Sequence, residues 1–361
     1  MTLGFFKLDI ETDYAEQRNL FEQSFPETIG LAPSTRAFYD WKFHSFPDTI
    51  PSYEYVAKLG KTKIVGYYAA IPFSYKIGDQ ILRCGMVCDV MTSPEMRGKG
   101  VFTSLGKYSL EQLSTAKVDF VLGYPIRPEV IPGHLKAGWK IAFKMPMFLF
   151  PIQIKSLFSM RGFSWASHFG FAIVFIWRLV FAILNLGKKN TTTHIVTIPD
   201  LLALNDFDNF IESWMLQTTN ALVKSKSFLK WRLGAPGAEY NAICVKDNRN
   251  QLTQIAIVRN IPLKGVPSLC ILDWMTLKKN RRFSYACFSA MIAFAKSNAS
   301  EVIVSMMSQT QARKLCIYWL GFIPTPAIFS VIIKNLQNSL QSANLFEEKN
   351  WSLMWIDSDD L

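Results

Sequence analysis

The first 150 residues alternate between short apolar runs and polar turns, a pattern typical of a mixed α/β domain. An acidic stretch, 5–30, has the spacing of a strand followed by a helix. Strands are then predicted where apolar residues cluster between Gly- and Pro-containing turns, at 53–59, 64–71, 73–77 and 81–91. After a helical stretch ending near Ala116, a buried strand is expected at 118–124 and a last strand at 141–150.

The stretch from Met86 to Leu105 predicts a strand, a loop and a helix in succession. Apolar residues end at Met91, a turn containing Pro94 follows, and the loop Arg97-Gly98-Lys99-Gly100 opens onto a helical pattern. A helix start carries unpaired backbone N–H groups and the positive end of the helix dipole. Glycines let the backbone approach an anion closely, so this loop predicts a site for a pyrophosphate.

In the register Arg97-Gly98-Lys99-Gly100-Val101-Phe102, the loop resembles motif A of the GNAT superfamily, the coenzyme-A-dependent N-acyltransferases. That motif reads Gln/Arg-x-x-Gly-x-Gly/Ala, and Phe102 stands where the family has a small residue. The glycine spacing fits neither a Walker A loop nor a dinucleotide-binding loop. The resemblance implies acetyl-CoA as co-substrate, no metal, and binding by Met91, Thr92, Arg97, Gly98, Lys99, Gly100, Val101, Phe102 and Thr103.

The resemblance also implies the fold, an α/β arrangement in which two neighbouring parallel strands part and admit the pantetheine arm. Here those strands would be 86–91 and 118–124.

The second half of the chain repeats features of the first at nearly constant spacing. Residues 228–233 echo 38–43, residues 273–276 echo 89–92, and Gly321-Phe322 echoes Gly138-Trp139. The position equivalent to the loop, 281–284, contains no glycine. We therefore expect two tandem GNAT-like mixed-sheet domains, the second degenerate, at 1–152 and 196–361, joined by an apolar helical linker at 153–195.

Within that linker, residues 163–186 are strongly apolar and aromatic, with basic flanks. The central 16 residues would span roughly 24 Å as a helix, short of the ~30 Å hydrocarbon core, and Arg178 makes crossing costly. Two interpretations stay open: a helix buried between the domains, and a helix lying at an anionic membrane surface.

The amino-acid composition limits which binding partners are expected. Half of the residues are hydrophobic, enough for two cores, and the net charge of +11 arises between residues 51 and 300. A basic middle suits an anionic cofactor or membrane surface. Nucleic acid is not expected as a partner, because Lys and Arg are scattered between apolar runs. The six cysteines show no zinc or Cys-x-x-Cys spacing, and no signal-peptide pattern is seen. We therefore expect a cytoplasmic protein. If residues 163–186 lie at a membrane surface, the protein would be peripheral at the inner face of that membrane.

Three residues are candidates for proton transfer. In the GNAT family the thiolate is often protonated by a Tyr four residues before a Gly-aromatic pair, a position that falls on His134. Tyr124, at the end of the second of these strands, is the other candidate donor. Asp89 is at a strand position where several GNAT enzymes keep an acidic residue that can take the proton of the amine. The alternatives are a solvated His134, a core Tyr124 and a structural Asp89, the last because Asp273 repeats it.

The expected function is therefore transfer of an acetyl or related acyl group from acyl-CoA to a primary amine, by direct attack in a ternary complex. The acceptor expected is a small-molecule or glycan amine. Two alternatives share the fold: an aminoacyl transferase acting on a lipid-linked wall precursor, and a catalytically inert, membrane-peripheral binding protein.

Overall fold

The structure is a computed structural model that describes residues 2–47, 51–152, 191–277, 281–337 and 345–359. The apolar segment 163–186 lies outside the described residues, and with it the choice between a linker helix and an interfacial helix. In the described part of the chain, no helix has the length and apolar character needed to cross a membrane.

The chain divides into two compact units, each assembled from both halves of the sequence. Unit 1 comprises Met1–Lys144, Asn220–Ala238 and Phe329–Glu347, and unit 2 comprises Met145–Thr219, Glu239–Ile328 and Glu348–Leu361. The domain boundaries expected from the sequence cut the chain linearly, at 152 and 195. They stay a prediction, and the units interleave across them.

Thirteen strands are described. They are β1 (Leu3–Lys7), β2 (Tyr53–Leu59), β3 (Lys63–Ile77), β4 (Gln80–Thr92), β5 (Phe120–Gly123), β6 (Lys140–Pro151), β7 (Thr192–Thr197), β8 (Asn220–Leu222), β9 (Asn241–Lys246), β10 (Leu252–Leu263), β11 (Val266–Thr276), β12 (Val302–Met306) and β13 (Ile323–Asn335). The α-helices described are α1 (Ile10–Ser24), α2 (Arg36–His44), α3 (Val101–Thr115), α4 (Ile131–Lys136), α5 (Ile198–Leu202), α6 (Phe207–Leu216), α7 (Lys226–Arg232), α8 (Arg281–Ser297) and α9 (Gln309–Lys314).

The sheet of unit 1 has the strand order β1-β2-β3-β4-β5-β13, and β8 pairs with the end of β3. Neighbouring strands are antiparallel except β4 and β5, which run parallel and are connected through α3. Apolar residues of α3, including Val101 and Leu105, pack on this sheet. Gly66 of β3 permits the approach, because a Cβ there would lie 3.2 Å from atoms of both side chains.

β3 is one strand where the sequence predicted two separated by Pro72, and that prediction is wrong. Pairing with β2 ends at Ala70, pairing with β8 begins at Tyr75, and Pro72 falls between them. Proline lacks an N–H group and is tolerated where no ladder needs one. The strand therefore continues through Pro72, held on its other side by Gly85 of β4.

A reciprocal pair of tryptophans joins α2 and α7 within unit 1. The indole Nε1 of Trp41 donates to the carbonyl of Trp231 at 2.7 Å, and that of Trp231 donates to the carbonyl of Trp41 at 2.8 Å. Their rings stack with centroids 5.3 Å apart. Each helix is capped alike, by the hydroxyl of Thr35 or Ser225. The sequence echo at 38–43 and 228–233 thus corresponds to two helices in mutual contact.

Unit 2 has the strand order β6-β12-β11-β10-β9-β7. Only β11 and β12 are parallel, and α8 connects them and packs on the sheet through Cys287, Phe288 and Met291. This order parallels that of unit 1, strand for strand. The tandem repeat itself stays an interpretation of the sequence.

Candidate functional site

The loop from Arg97 to Gly100, here called the glycine loop, leads from β4 into α3 through two left-handed glycines. Gly98 has φ 76° and Gly100, the N-cap of α3, has φ 79°. Residues with a side chain are strained at such positive φ angles, whereas glycine adopts them freely. Both glycines are exposed, and a Cβ at either would meet nothing within 4 Å. The loop is therefore open to a ligand.

Backbone donors converge on this opening. Among the described residues, the amides of Gly98, Gly100, Val101, Phe102 and Thr103 have no protein acceptor, and no side chain caps the helix. Unsatisfied N–H groups at the start of a 15-residue helix favour a bound anion.

Charged side chains around the glycine loop are exposed and mainly basic. Arg97 and Lys99 are solvent-accessible. The nearby carboxylate of Glu95 is paired with Lys63 at 2.5 Å, and the hydrogen bond from Lys63 lowers the pKa of Glu95. Its negative charge is thus partly balanced by a lysine outside the loop.

β4 and β5 part just before the glycine loop. Their parallel pairing covers Cys84 to Val87 on β4 and ends at Gly123 on β5. Immediately afterwards β4 bulges: Asp89 and Val90 lie between the residues that pair with Tyr67 and Ala69 of β3. A bulge bends its strand, and Asp89 has φ 47°, which is uncommon for a residue other than glycine. The parting therefore lies within the predicted stretches 86–91 and 118–124.

The end of β4 offers polar atoms without protein partners. Met91 is buried, and the side-chain hydroxyl oxygens of Thr92 and Ser93 are buried without a hydrogen-bond partner among the described residues. Buried hydroxyls normally find a partner. An orphaned pair between the parted strands and the glycine loop fits a polar ligand running along β4.

Asp89 forms an ion pair that the sequence did not predict. Lys42 of α2 places its Nζ 2.9 Å from an Asp89 carboxylate oxygen, and both side chains are largely buried. A buried carboxylate is costly without such a partner. Lys42 lies one residue after Trp41, whose pairing with Trp231 fixes this part of α2.

The two candidate donors lie in different surroundings. Tyr124 directly follows β5 and is buried. His134 of α4 is also buried, edge-on between the rings of Phe102 and Trp139 at centroid distances of 5.0 and 5.1 Å. Burial lowers the pKa of His134 to about 4. The alternative of a solvated His134 is therefore wrong, and at neutral pH the ring is uncharged.

Phe102, the departure from the family motif, packs on α4. Its ring lies where a side chain at Gly133 would stand, 2.5 Å from an ideal Cβ. The first turn of α3 thereby contacts α4 through an aromatic ring while its amides stay open.

A carboxylate that sequence reasoning missed lies beside this site. Glu54 of β2 is buried and accepts hydrogen bonds from the hydroxyls of Tyr39 and Tyr67. The signal was present, because Glu54 is the one acidic residue in the largely apolar strand 53–59.

In unit 2 the space beyond the parallel strands β11 and β12 is occupied by residues from near the C-terminal end of the chain. β11 and β12 stay paired up to Ile271 and Ser305, and beyond this point Met307 forms a β-bridge with Met354. The backbone N–H of Trp274 contacts the Met354 sulfur at 3.1 Å. Residues 351–358, here called the C-terminal segment, are almost entirely buried.

Comparison with known proteins finds a family model that matches part of the first half of the chain. Residues 10–142 match the family model described as an acetyltransferase (GNAT) domain. That range contains the glycine loop, the parting of β4 and β5, and all the predicted site residues. No curated protein matches the chain.

Solved structures cover nearly the whole chain at low identity. A probable N-acyltransferase from Enterococcus faecalis V583 is 13% identical with a TM-score of 0.63, covering 93% of this chain and 73% of that one. A GCN5-related N-acetyltransferase from Anabaena variabilis is 16% identical with the same TM-score and coverage. N-myristoyltransferase of Saccharomyces cerevisiae with bound myristoyl-CoA is 11% identical, with a TM-score of 0.60, covering 92% and 79%.

At these identities the structures establish the fold, and the matched domain carries the open glycine loop at the expected place. Residues 10–142 are thus similar to a GNAT acetyltransferase domain, and the chain has the fold of the N-acyltransferase structures it matches.

Proposed function

We propose that this protein is an acyl-CoA-dependent N-acyltransferase that transfers an acetyl or related acyl group to a primary amine. The observation that carries the proposal is the combination of five open amides at the start of α3 with the parting of β4 and β5 beside them. A protein that only kept the fold would not need this opening.

The chain's own groups suit an acyl-CoA. The amides at the glycine loop and the exposed Arg97 and Lys99 would hold the pyrophosphate by hydrogen bonding and charge. Met91 and Thr92 at the end of β4 would line the arm, where the orphaned hydroxyl of Thr92 can donate. When bound, acyl-CoA supplies a thioester whose carbonyl carbon is open to attack by an amine.

Asp89 is the proposed acceptor of the proton that the amine must lose before it can attack. Its carboxylate lies on the bulge where the strands part, and Lys42 holds it in place. A carboxylate within hydrogen-bond reach of an ammonium can act directly or through a water molecule.

Tyr124 is the favoured proton donor to the departing thiolate. It follows β5 at the parting, whereas His134 is uncharged at neutral pH and packed between two rings. A neutral imidazole is a poor acid. His134 stays the second candidate.

Calorimetry with acetyl-CoA tests the donor site directly. Gly100→Asp would place a carboxylate where the pyrophosphate is expected, and we predict affinity for acetyl-CoA at least about 100-fold weaker. Gly60→Asp is a matched control because Gly60 also has a positive φ, 69°, with nothing within 4 Å of its Cβ position.

Equal affinities of the two variants and the wild type would contradict the donor site. Binding of acetyl-CoA without release of thiol in the presence of spermidine, glucosamine or a peptide with a free amino terminus would favour the inert binding protein instead.

A further inference from the structure

The last turn of α2 carries a histidine whose two ring nitrogens both face carboxylates. In His44, Nδ1 lies 3.1 Å from Oδ1 of Asp40, one turn earlier on the same helix, and Nε2 lies 3.3 Å from Oε1 of Glu54 on β2. The His44 side chain is 35% exposed, so one ring connects a solvent-accessible carboxylate to a buried one. His44, Asp40 and Glu54 are here called the histidine clamp.

Other donors hold both carboxylates of the histidine clamp in their charged form. The Oε2 of Glu54 accepts hydrogen bonds from the hydroxyls of Tyr39 at 2.5 Å and Tyr67 at 2.6 Å, which leaves Oε1 for the imidazole. Asp40 accepts a hydrogen bond from Arg36 at 2.7 Å, and this bond lowers the pKa of Asp40. A carboxylate oxygen, which can only accept, therefore faces each ring nitrogen.

This geometry requires a doubly protonated ring. A neutral imidazole carries one N–H, so its other nitrogen would turn a lone pair toward a carboxylate oxygen at 3.1 or 3.3 Å, a repulsive contact. An imidazolium donates from both nitrogens and satisfies both carboxylates. The hydrogen bond to Glu54 is the main cause that raises the pKa of His44 above its ordinary value of 6.5, and the bond to Asp40 adds to it against partial burial.

Other titratable and charged groups surround the histidine clamp in the described part of the chain. The ring of Tyr39 stands edge-on to that of His44, with centroids 5.2 Å apart. From α1, the Arg18 guanidinium lies 4.7 Å from the centroid of the Tyr39 ring, and the Tyr14 ring lies 5.3 Å from it. Burial raises the pKa of Tyr39 and of Tyr67 on β3, so neither hydroxyl ionises near neutral pH. The change of charge near neutral pH is therefore expected at His44.

The same turn of α2 places Lys42 on the proposed catalytic carboxylate. Lys42 Nζ lies 2.9 Å from Oδ1 of Asp89 on the bulge, and both side chains are largely buried. The turn is fixed at its start by the pair of Trp41 and Trp231, and its last residue, His44, is held against β2. Because Lys42 lies between these two contacts along the chain, they determine where its amine stands.

We propose that His44, as an imidazolium, is a positioning residue that holds the last turn of α2 on β2 and thereby keeps Lys42 at Asp89. The inference rests on the proposed function, in which Asp89 accepts the proton of the amine. His44 takes no part in the transfer itself. When it loses its proton, one carboxylate faces a lone pair, the turn is held less firmly, and Lys42 positions Asp89 less well.

The direction of the pH effect follows from the raised pKa of His44. The contribution of the histidine clamp is complete below the ordinary value of 6.5 and is lost as the pH rises through the pKa of His44 in the folded protein. Turnover itself is expected to rise with pH as the amine loses its proton, which masks the loss. The ratio of kcat/KM between the wild type and His44→Gln removes this shared rise.

The main test measures that ratio across the neutral and alkaline range. With acetyl-CoA and whichever of spermidine, glucosamine or a free peptide the wild type accepts best, the ratio should be about 10 near pH 6 and approach one at alkaline pH. Affinity for acetyl-CoA should stay at the wild-type value. His194→Gln, at an exposed histidine of β7, is the matched control and should leave kcat/KM unchanged throughout.

A second comparison tests whether His44 acts through Lys42. In a Lys42→Gln background, His44→Gln should cause no further loss of kcat/KM, because the side chain that His44 positions is already absent. Additive losses in the double variant would overturn the positioning role and leave the acyltransferase intact.

A third measurement needs no turnover. With isotopically labelled histidine, nuclear magnetic resonance resolves the four imidazoles of the chain, and His44→Gln identifies the signal of His44. Both of its ring nitrogens should be protonated at neutral pH, with a midpoint above 6.5 that matches the midpoint of the kcat/KM ratio. A neutral ring at pH 6.5, or a ratio that does not change with pH, would overturn the inference alone. Absence of acyl transfer by the wild type to all three amines would overturn the proposed function and the positioning role with it, even if the ring is charged.

Discussion

At the scale of single residues, the site depends on charged side chains in positions where burial or an unusual backbone conformation costs free energy. Asp89 is largely buried beside Lys42 and has a left-handed backbone conformation, and Glu54 is buried among hydroxyls. Such arrangements are expected at functional sites, where strain and burial are retained for the reaction. His134 shows the opposite case: a candidate selected by sequence spacing is packed as an uncharged ring.

Burial of His134 predicts a specific acid sensitivity. Because the pKa of His134 is lowered to about 4, the unfolded chain binds a proton below pH 6.5 that the folded chain does not. Its contribution to stability is present above pH 6.5 and is lost as the pH falls to about 4, amounting to about 3 kcal/mol. His134→Gln should reduce the decrease in the free energy of unfolding between pH 7 and 4.5, measured with urea.

The comparison of pH dependence, not of absolute stability, is decisive here, since Gln changes the packing against Phe102 and Trp139. Parallel curves for the wild type and His134→Gln would show that the ring titrates normally in the folded protein.

At the scale of elements, the two units have the same strand order but differ in what lies beyond the ends of their parallel strands. In unit 1, the parting of β4 and β5 is followed by a glycine loop with open amides. In unit 2, the ends of β11 and β12 are covered by the C-terminal segment, in which the side chain of Met354 contacts the backbone of Trp274. This difference supports binding of acetyl-CoA by the first unit alone.

Shortening Met354 should therefore destabilise unit 2 without affecting the proposed donor site. Met354 is fully buried, and large-to-small changes in a core cost about 2–5 kcal/mol. We expect Met354→Ala to lower the free energy of unfolding by this amount, and acetyl-CoA affinity under native conditions to stay at the wild-type value. Leu216→Ala, at a side chain 82% exposed, is the control.

An unchanged urea midpoint for Met354→Ala would show that the C-terminal segment is loosely held. Weaker acetyl-CoA binding in a folded Met354→Ala protein would contradict the assignment of the donor site to unit 1.

Local features of the elements were readable from the sequence, and distant pairings were not. The strand, glycine loop and helix around Gly98 follow from residue spacing and glycine chemistry, which act over a few residues. The continuity of β3 through Pro72 depends on which neighbours pair beside it. The Glu54 cluster depends on α2, β2 and β3 meeting, and hydrophobic periodicity carries no information about such contacts.

At the scale of the whole molecule, unit 1 cannot be completed by the first half of the sequence. Ile332 to Asn335 of β13 pair with β5, and β8 pairs with the end of β3. Without these strands, the fully buried residues of β5 become an exposed apolar edge.

A fragment of residues 1–152 is accordingly expected to fail as an independent domain. It should aggregate or unfold without a cooperative transition, and should bind acetyl-CoA more weakly than the full chain. Circular dichroism during urea unfolding and calorimetry would measure both properties. A fragment with a sharp transition and full-length affinity would show that β13 and β8 are dispensable.

The pairing of Gly123 with Ile332 also has a consequence for biosynthesis. The two residues are 209 positions apart (332 − 123), so at translation rates of about 5–20 residues per second the nascent β5 waits roughly 10–40 s for its partner. Throughout that interval the ribosome carries a chain with its glycine loop already made and one apolar strand edge bare. Folding of this protein therefore requires either that a chaperone shields the β5 edge or that β5 pairs with β13 only late in synthesis.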